Sequence, residues 1–269
     1  MNNCYRFDKL ELKGKPIFKS IDATYIIHLE GNGRYNSILK ELSKVIPSKN
    51  IYIVYNKGYK KCKKFDFINR PALDIVDSNF NIFLHSNEMK YENILILEDD
   101  FIFENINNTD AENIDKFMIE NKNKNISYLL GAVPFMLIPT FNQDHFRGIL
   151  TLGMHAVICT RIYRDNMLKV NQKEINDWDL KDIFKLNKYV YKKPLCFQTF
   201  PLTDNRKQWV DSGIIIKITD FFLNITKLDK QIHPGYDIMY IFAKLIFIVL
   251  FIIILIVSNK LFNKYHNRK

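Results

Sequence analysis

A chain of 269 residues, 47% hydrophobic and 25% charged, is too apolar to be disordered and long enough to bury a core without disulfide staples. Its 39 Lys and Arg against 29 Asp and Glu leave a net charge of +10, which favours phosphates, anionic lipids or nucleotide-like ligands. Basic residues are spread along the chain with one local run, KGYKKCKK (57–64), and no long arm, so no nucleic acid is expected as a partner.

The N-terminal lead-in, residues 1–22, is polar and has no apolar h-region of a secretory signal. ATYIIHLEG (23–31) is a β-branched and aromatic run closed by GNG, a buried strand and its turn. RYNSILKELSKVI then spaces Ile38, Leu42 and Val45 as one helix face, with Pro47 as the stop, and NIYIVYN (50–56) is a second strand. This β-α-β order with short continuous apolar strands predicts an α/β domain built on a mostly parallel sheet covered on both faces.

A partly helical stretch follows from 71 to 91, and NILILEDDFIFE is the strongest strand of the chain. Beyond it come a capped helix with Ile114, Phe117 and Met118 inward, and a strand and loop in ISYLLGAVPFMLIP. A strand at 156–159 leads into a helix. An acidic loop, an amphipathic helix in LKDIFKL and a late strand near Tyr189 and Tyr191 complete a domain spanning 23–210. Cys4, Cys62, Cys159 and Cys196 are widely separated and form no CxxC pattern, so four reduced thiols are expected.

After a polar membrane-proximal segment, 211–237, residues 238–257 are apolar over roughly the 20 residues needed to cross a bilayer. Lys244 is the one charge in this span and lies within its first two turns, from where it can snorkel to the headgroups; a short basic tail, 258–269, closes the chain. With no signal ahead of the span, the expectation is a single-pass, tail-anchored membrane protein whose domain is cytosolic. The charge rule leans slightly the other way, because Lys260, Lys264, Arg268 and Lys269 follow the span. Sequons at Asn107, Asn125 and Asn224 would matter only in a lumenal domain.

Glu98, Asp99 and Asp100 stand where a parallel strand ends, the crevice in which open α/β sheets bind ligands. Alternation directs Glu98 and Asp100 to one site, with Asp99 across from them or joining as the chain turns. Acids this close repel unless a cation lies among them, and their oxygens suit Mg²⁺ or Mn²⁺ bridging substrate phosphates.

LEDD at the end of an apolar strand resembles the metal-binding motif of GT-A glycosyltransferases, in particular the family-25 type that includes lipopolysaccharide glycosyltransferases and collagen galactosyltransferases. TYIIHLEGNGRYNSILKEL resembles that family's opening strand and helix, with His28 where the family usually has Asn and an Arg-rich stretch reduced to Arg34. GMHAVICTRIYRDNML, the Asp-x-x-Leu in INDWDL and YVYKKPLCFQ resemble its later segments in the same order, over about residues 23–200.

The resemblance implies a GT-A type nucleotide-diphospho-sugar transferase fold, Rossmann-like, and transfer of a sugar to a glycan, lipid or protein acceptor. It implies that Glu98, Asp99 and Asp100 hold Mn²⁺ or Mg²⁺ and the donor. Asp177 and Asp179, in a polar loop, are the candidate bases, Asp177 matching the Asp-x-x-Leu. His155 is a candidate third metal ligand or contact to the donor phosphate. His28 and Arg34, at the first strand's end, fall where the nucleotide's base and ribose are expected. Gln198, Arg206 and Trp209 could form an acceptor platform, since an aromatic face and planar donors suit sugars. Clustered acids on a basic chain would also serve a metal-dependent nuclease or phosphotransferase, and a membrane scaffold that keeps the fold without catalysis is the third reading.

Overall fold

Alternate residues of NILILE bury on opposite faces of one sheet: Ile94 and Ile96 join one apolar cluster, Leu95 and Leu97 the other. Both faces are therefore covered, which is why the run is continuously apolar rather than alternating. The computed structural model describes residues 3–104, 106–198, 225, 227, 228, 230, 231 and 233–266. Arg206, Trp209 and Asn224 lie outside the described residues.

Sixteen elements follow in order: β1 (Tyr5–Leu10), β2 (Ala23–Leu29), α1 (Tyr35–Lys44), β3 (Asn50–Asn56), α2 (Pro71–Glu88), β4 (Asn93–Glu98), β5 (Phe101–Phe103), α3 (Asn108–Glu120), β6 (Ser127–Leu129), β7 (Val133–Pro139), β8 (His145–Leu152), β9 (Ala156–Thr160), α4 (Arg161–Leu168), β10 (Lys188–Tyr191), β11 (Cys196–Gln198) and α5 (Gly235–His266). Nine strands form one sheet in the order β1-β3-β2-β4-β9-β6-β10-β8-β7, and β5 pairs with β11 in a small second sheet. Adjacent parallel pairs are confined to β3/β2, β2/β4 and β6/β10. By direction, β2, β3, β4, β6, β7 and β10 run one way and β1, β8 and β9 oppose them. The fold is thus mixed α/β with a mostly parallel sheet. Helices α2 and α4 pack on one face through Val76, Phe83 and Tyr163, and α1 and α3 on the other through Ile38, Leu42, Ile114 and Met118.

Several elements depart from the sequence expectation. The polar lead-in contains β1, an edge strand antiparallel to β3. The LEDD strand breaks after Glu98, so that 101–103 belongs to the small sheet with β11. No helix forms at LKDIFKL, where the chain runs in turns with Phe184 at φ 64°. Its polar residues are the ones drawn inward: Asp182 accepts from the Tyr163 hydroxyl at 2.5 Å and pairs with Lys181 and Lys185, while Leu180, Phe184 and Leu186 are exposed. That buried pairing overrides the amphipathic pattern.

Four free thiols are also not what the structure shows. Cys4 and Cys62 form a disulfide with Cα atoms 5.6 Å apart, and Cys159 and Cys196 are free and buried. The pairing of β1 with β3 brings Cys4 to the loop after β3, a neighbourhood invisible to sequence spacing. Lys64 in the same basic run is buried too, paired with Asp74 and with Asp77 at 3.5 Å, so the run is not a free cationic patch. Disulfides persist in oxidising compartments and are rare in the cytosol, so this bond and a cytosolic domain pull in opposite directions. Alkylation of the unfolded chain should label two cysteines without reductant and four with it. Four labelled thiols in unreduced protein would remove the bond.

His145 lies buried with Nδ1 2.8 Å from the Tyr128 hydroxyl and its ring 4.3 Å from that of Phe117. Burial pushes its pKa down to about 4. A base whose folded pKa is depressed contributes fully above its unfolded value near 6.5, and that stability is lost as pH falls toward 4. Guanidinium titrations of the detergent-solubilised chain should lose about 2 kcal/mol from this group between pH 7 and pH 5. His145→Phe should flatten that part of the slope.

Candidate functional site

The site lies at the carboxyl ends of β2 and β4, where the chain passes from the large sheet into the small one. Glu98 closes β4, its amide donating to the His155 carbonyl at 3.0 Å. The turn then sends Asp99 toward β2. His28 Nδ1 donates to Asp99 Oδ2 at 2.9 Å, Asn32 donates to the same oxygen, and Arg34 Nη1 donates to Oδ1 at 2.6 Å. Both oxygens are thereby engaged by protein. Burial alone would raise the Asp99 pKa, but the bond from His28, the Arg34 charge and the bond from Asn32 outweigh it and hold the carboxyl below its usual range.

Glu98 and Asp100 are handled differently. Gln198 Nε2, on β11, donates to Glu98 Oε2 at 3.1 Å, and the Gln198 amide beside Asp100 tempers the rise in its pKa. Asp100 is buried, and its Oδ1 has no hydrogen-bond partner. Burial raises the pKa of both carboxyls; Asp100, Asp179, Asp99 and Asp177 raise that of Glu98 further, and Asp99 that of Asp100. Five carboxylates therefore lie within electrostatic reach of Glu98 or its neighbours, and among the described residues only Asp99 of the five carries a direct ion pair.

Asp179 accepts from the backbone amides of Met154 at 2.8 Å and Gly153 at 3.3 Å, one on each oxygen, which fixes the turn that leads into β9. Asp177 Oδ1 accepts from the Asp179 amide at 2.8 Å, an Asx turn that leaves the side chain half-exposed. Burial, then the Asp179 charge, raises its pKa. His155 is buried with Nε2 3.4 Å from the Cys196 carbonyl and Nδ1 without a partner, and burial pushes its pKa down to about 4, so the imidazole is neutral at physiological pH. Gly131 is required here: a Cβ on it would stand 1.7 Å from the Cys196 carbonyl oxygen and displace the strand that carries Gln198.

The structure brings His28, Arg34, Glu98, Asp99, Asp100, His155, Asp177, Asp179 and Gln198 to one crevice. Among the described residues, no three His, Cys, Asp or Glu side chains form a ready cation cage. The functional residue the sequence reading passed over is Asn32. The GNG turn that contains it marked a chain reversal but gave no sign that its side chain would meet an acid 67 positions away.

No family model matches the chain, and no curated protein matches it. Among solved structures, A197 from STIV superposes with a TM-score of 0.40 at 11% identity, over 63% of this chain and 81% of that one. A glycosyltransferase involved in the glycosylation of the major capsid of PBCV-1 superposes with a TM-score of 0.31 at 10% identity, over 55% of this chain and 63% of that one. Similarity this low carries no functional argument, and the reading below rests on the site.

Asp99→Ala should lower unfolding stability by roughly 3 kcal/mol, because it leaves His28 and Arg34 unpaired in the crevice. Chemical denaturation at constant pH checks this. An unchanged midpoint would mean that Asp99 is not the tie between β2 and β4.

Proposed function

We propose that this chain is a membrane-anchored, metal-dependent glycosyltransferase that moves a sugar from a nucleotide-diphosphate donor to a glycan, lipid or protein acceptor. One observation carries the reading: Glu98 and Asp100 stand together at the end of a parallel strand, and among the described residues no cationic side chain pairs with either and one buried Asp100 oxygen has no partner. Mn²⁺ or Mg²⁺ fits this donor set, since such ions are held by one or two carboxylates together with substrate phosphates rather than by a closed protein cage. When bound, the ion supplies positive charge to the departing diphosphate.

The chain's own residues take distinct parts. Asp99 is a positioning residue that holds Arg34 and His28 at the end of β2, where Arg34 keeps further N–H donors for a phosphate or ribose. Gln198 fixes the facing carboxyls of Glu98 and Asp100. Asp177 is the better base, because each Asp179 oxygen already accepts a backbone amide, and the raised pKa of Asp177 suits it to take a proton from an acceptor hydroxyl. Asp179, committed to two backbone amides, shapes the loop. His155 supplies a neutral imidazole beside Glu98. The segment Gly235–Leu261 of α5, long and apolar enough to cross a membrane, is the anchor in this reading.

The test is Mn²⁺-dependent turnover of a panel of UDP- and GDP-sugars by the full chain in detergent. Asp100→Asn should reduce turnover on the order of a hundredfold or more, and Asp177→Asn should impair transfer to an acceptor more than donor binding. Folded wild-type protein that binds no nucleotide sugar in the presence of Mn²⁺ would favour a non-catalytic scaffold and end this reading.

A further inference from the structure

The β7–β8 hairpin carries two exposed phenylalanines at the end of the large sheet. Strand β7 ends the nine-stranded sheet, and Phe135 on it is exposed. At the turn Phe141 is fully exposed, although the turn itself is built rather than loose. Thr140 Oγ1 donates to the carbonyls of Asn142 at 2.8 Å and His145 at 2.7 Å, and Asn142 Oδ1 accepts from the Asp144 amide at 3.0 Å. One exposed ring is unremarkable by itself; its position beside the apolar helix α5 is what gives it meaning.

The first turns of α5 pack along β7, with Tyr236, Tyr240 and Ala243 buried in the domain's core. Lys244 Nζ donates to the Lys192 carbonyl at 3.1 Å and lies 4.7 Å from the Phe146 ring centre, so the domain holds this ammonium in place of the headgroups expected from sequence. Phe146 pairs with Pro139, at the turn end of the hairpin. The helix therefore leaves the domain at the level from which Phe141 projects.

Beyond that point the uninterrupted apolar stretch is residues 245–257, after which Ser258, Asn259 and Lys260 follow. Thirteen helical residues rise about 20 Å, against a hydrocarbon core of about 30 Å. The missing length of about 10 Å is what residues 238–244 supply, and those are the residues lying along the domain edge. A span that uses the full apolar length of α5, residues 238–244 included, brings this edge down with it.

We propose that the β7–β8 hairpin is a second membrane-contact element, with Phe141 at its turn seated at the headgroup–acyl boundary of the bilayer that α5 crosses. This rests on the reading of α5 as a membrane span. It brings the catalytic domain down onto the lipid surface instead of leaving it on a free stalk, and so favours acceptors that are themselves held at that surface.

The test places a nitroxide on Phe141→Cys in the full chain, reconstituted in phosphatidylcholine–phosphatidylglycerol vesicles without reductant. Ile253→Cys marks the helix, and Phe65→Cys, in the loop after β3 near the opposite edge of the sheet, marks the aqueous phase. The ratio of oxygen access to access by a water-soluble nickel complex should be on the order of tenfold higher at 141 than at 65, and of the same sense as at 253. An aqueous ratio at 141 with a lipid ratio at 253 would overturn the hairpin contact and leave the span intact. Aqueous ratios at both would remove the span and the inference with it. Low access to both reagents at 141 would place protein over the hairpin and equally overturn it.

Discussion

Both carboxylate oxygens of Asp99 are held at the end of β2, and the rest of the crevice follows from that attachment. His28, Asn32 and Arg34 converge on it from the strand and the turn after it, so the chain leaving β4 is pinned where the two parallel strands end side by side. Once Asp99 is turned to β2, Glu98 and Asp100 face Gln198 on the small sheet. An acid in the middle of LEDD therefore acts as a structural tie, while its two neighbours turn to the small sheet.

Charge gives this arrangement its chemical meaning. The domain places Asp177 and Asp179 within electrostatic reach of Glu98, and no described residue gives Glu98 a cationic partner in a chain of net charge +10. Burial magnifies the repulsion, because the ionised forms have lost water that would have screened them. Such a site gains free energy from a divalent cation and from the phosphates that cation brings.

At the opposite edge of the sheet from β1, the seam between α5 and β7 joins the domain to its apolar helix. Tyr236, Tyr240 and Ala243 are core residues of the domain as much as parts of the helix, which makes the two one rigid connection.

The strands at 23–29, 50–56 and 93–98, the helices beside them and the long C-terminal apolar helix were legible in the sequence, since each depends on local periodicity or on sheer length of apolar run. The acidic end of β4 was legible for the same reason: three charges after a buried strand have nowhere to be but its open end. What sequence could not show were partnerships across long separations. Cys4 with Cys62, β1 on β3, β11 on β5, the inward pair of Asp182 and Lys181 that cancels a helix, and the division of labour between Asp99 and Asp100 all arise from contacts made only after the sheet has assembled. Local pattern determines which face of an element is apolar, whereas the roles of buried charges depend on which counter-charge the tertiary fold brings within hydrogen-bonding distance.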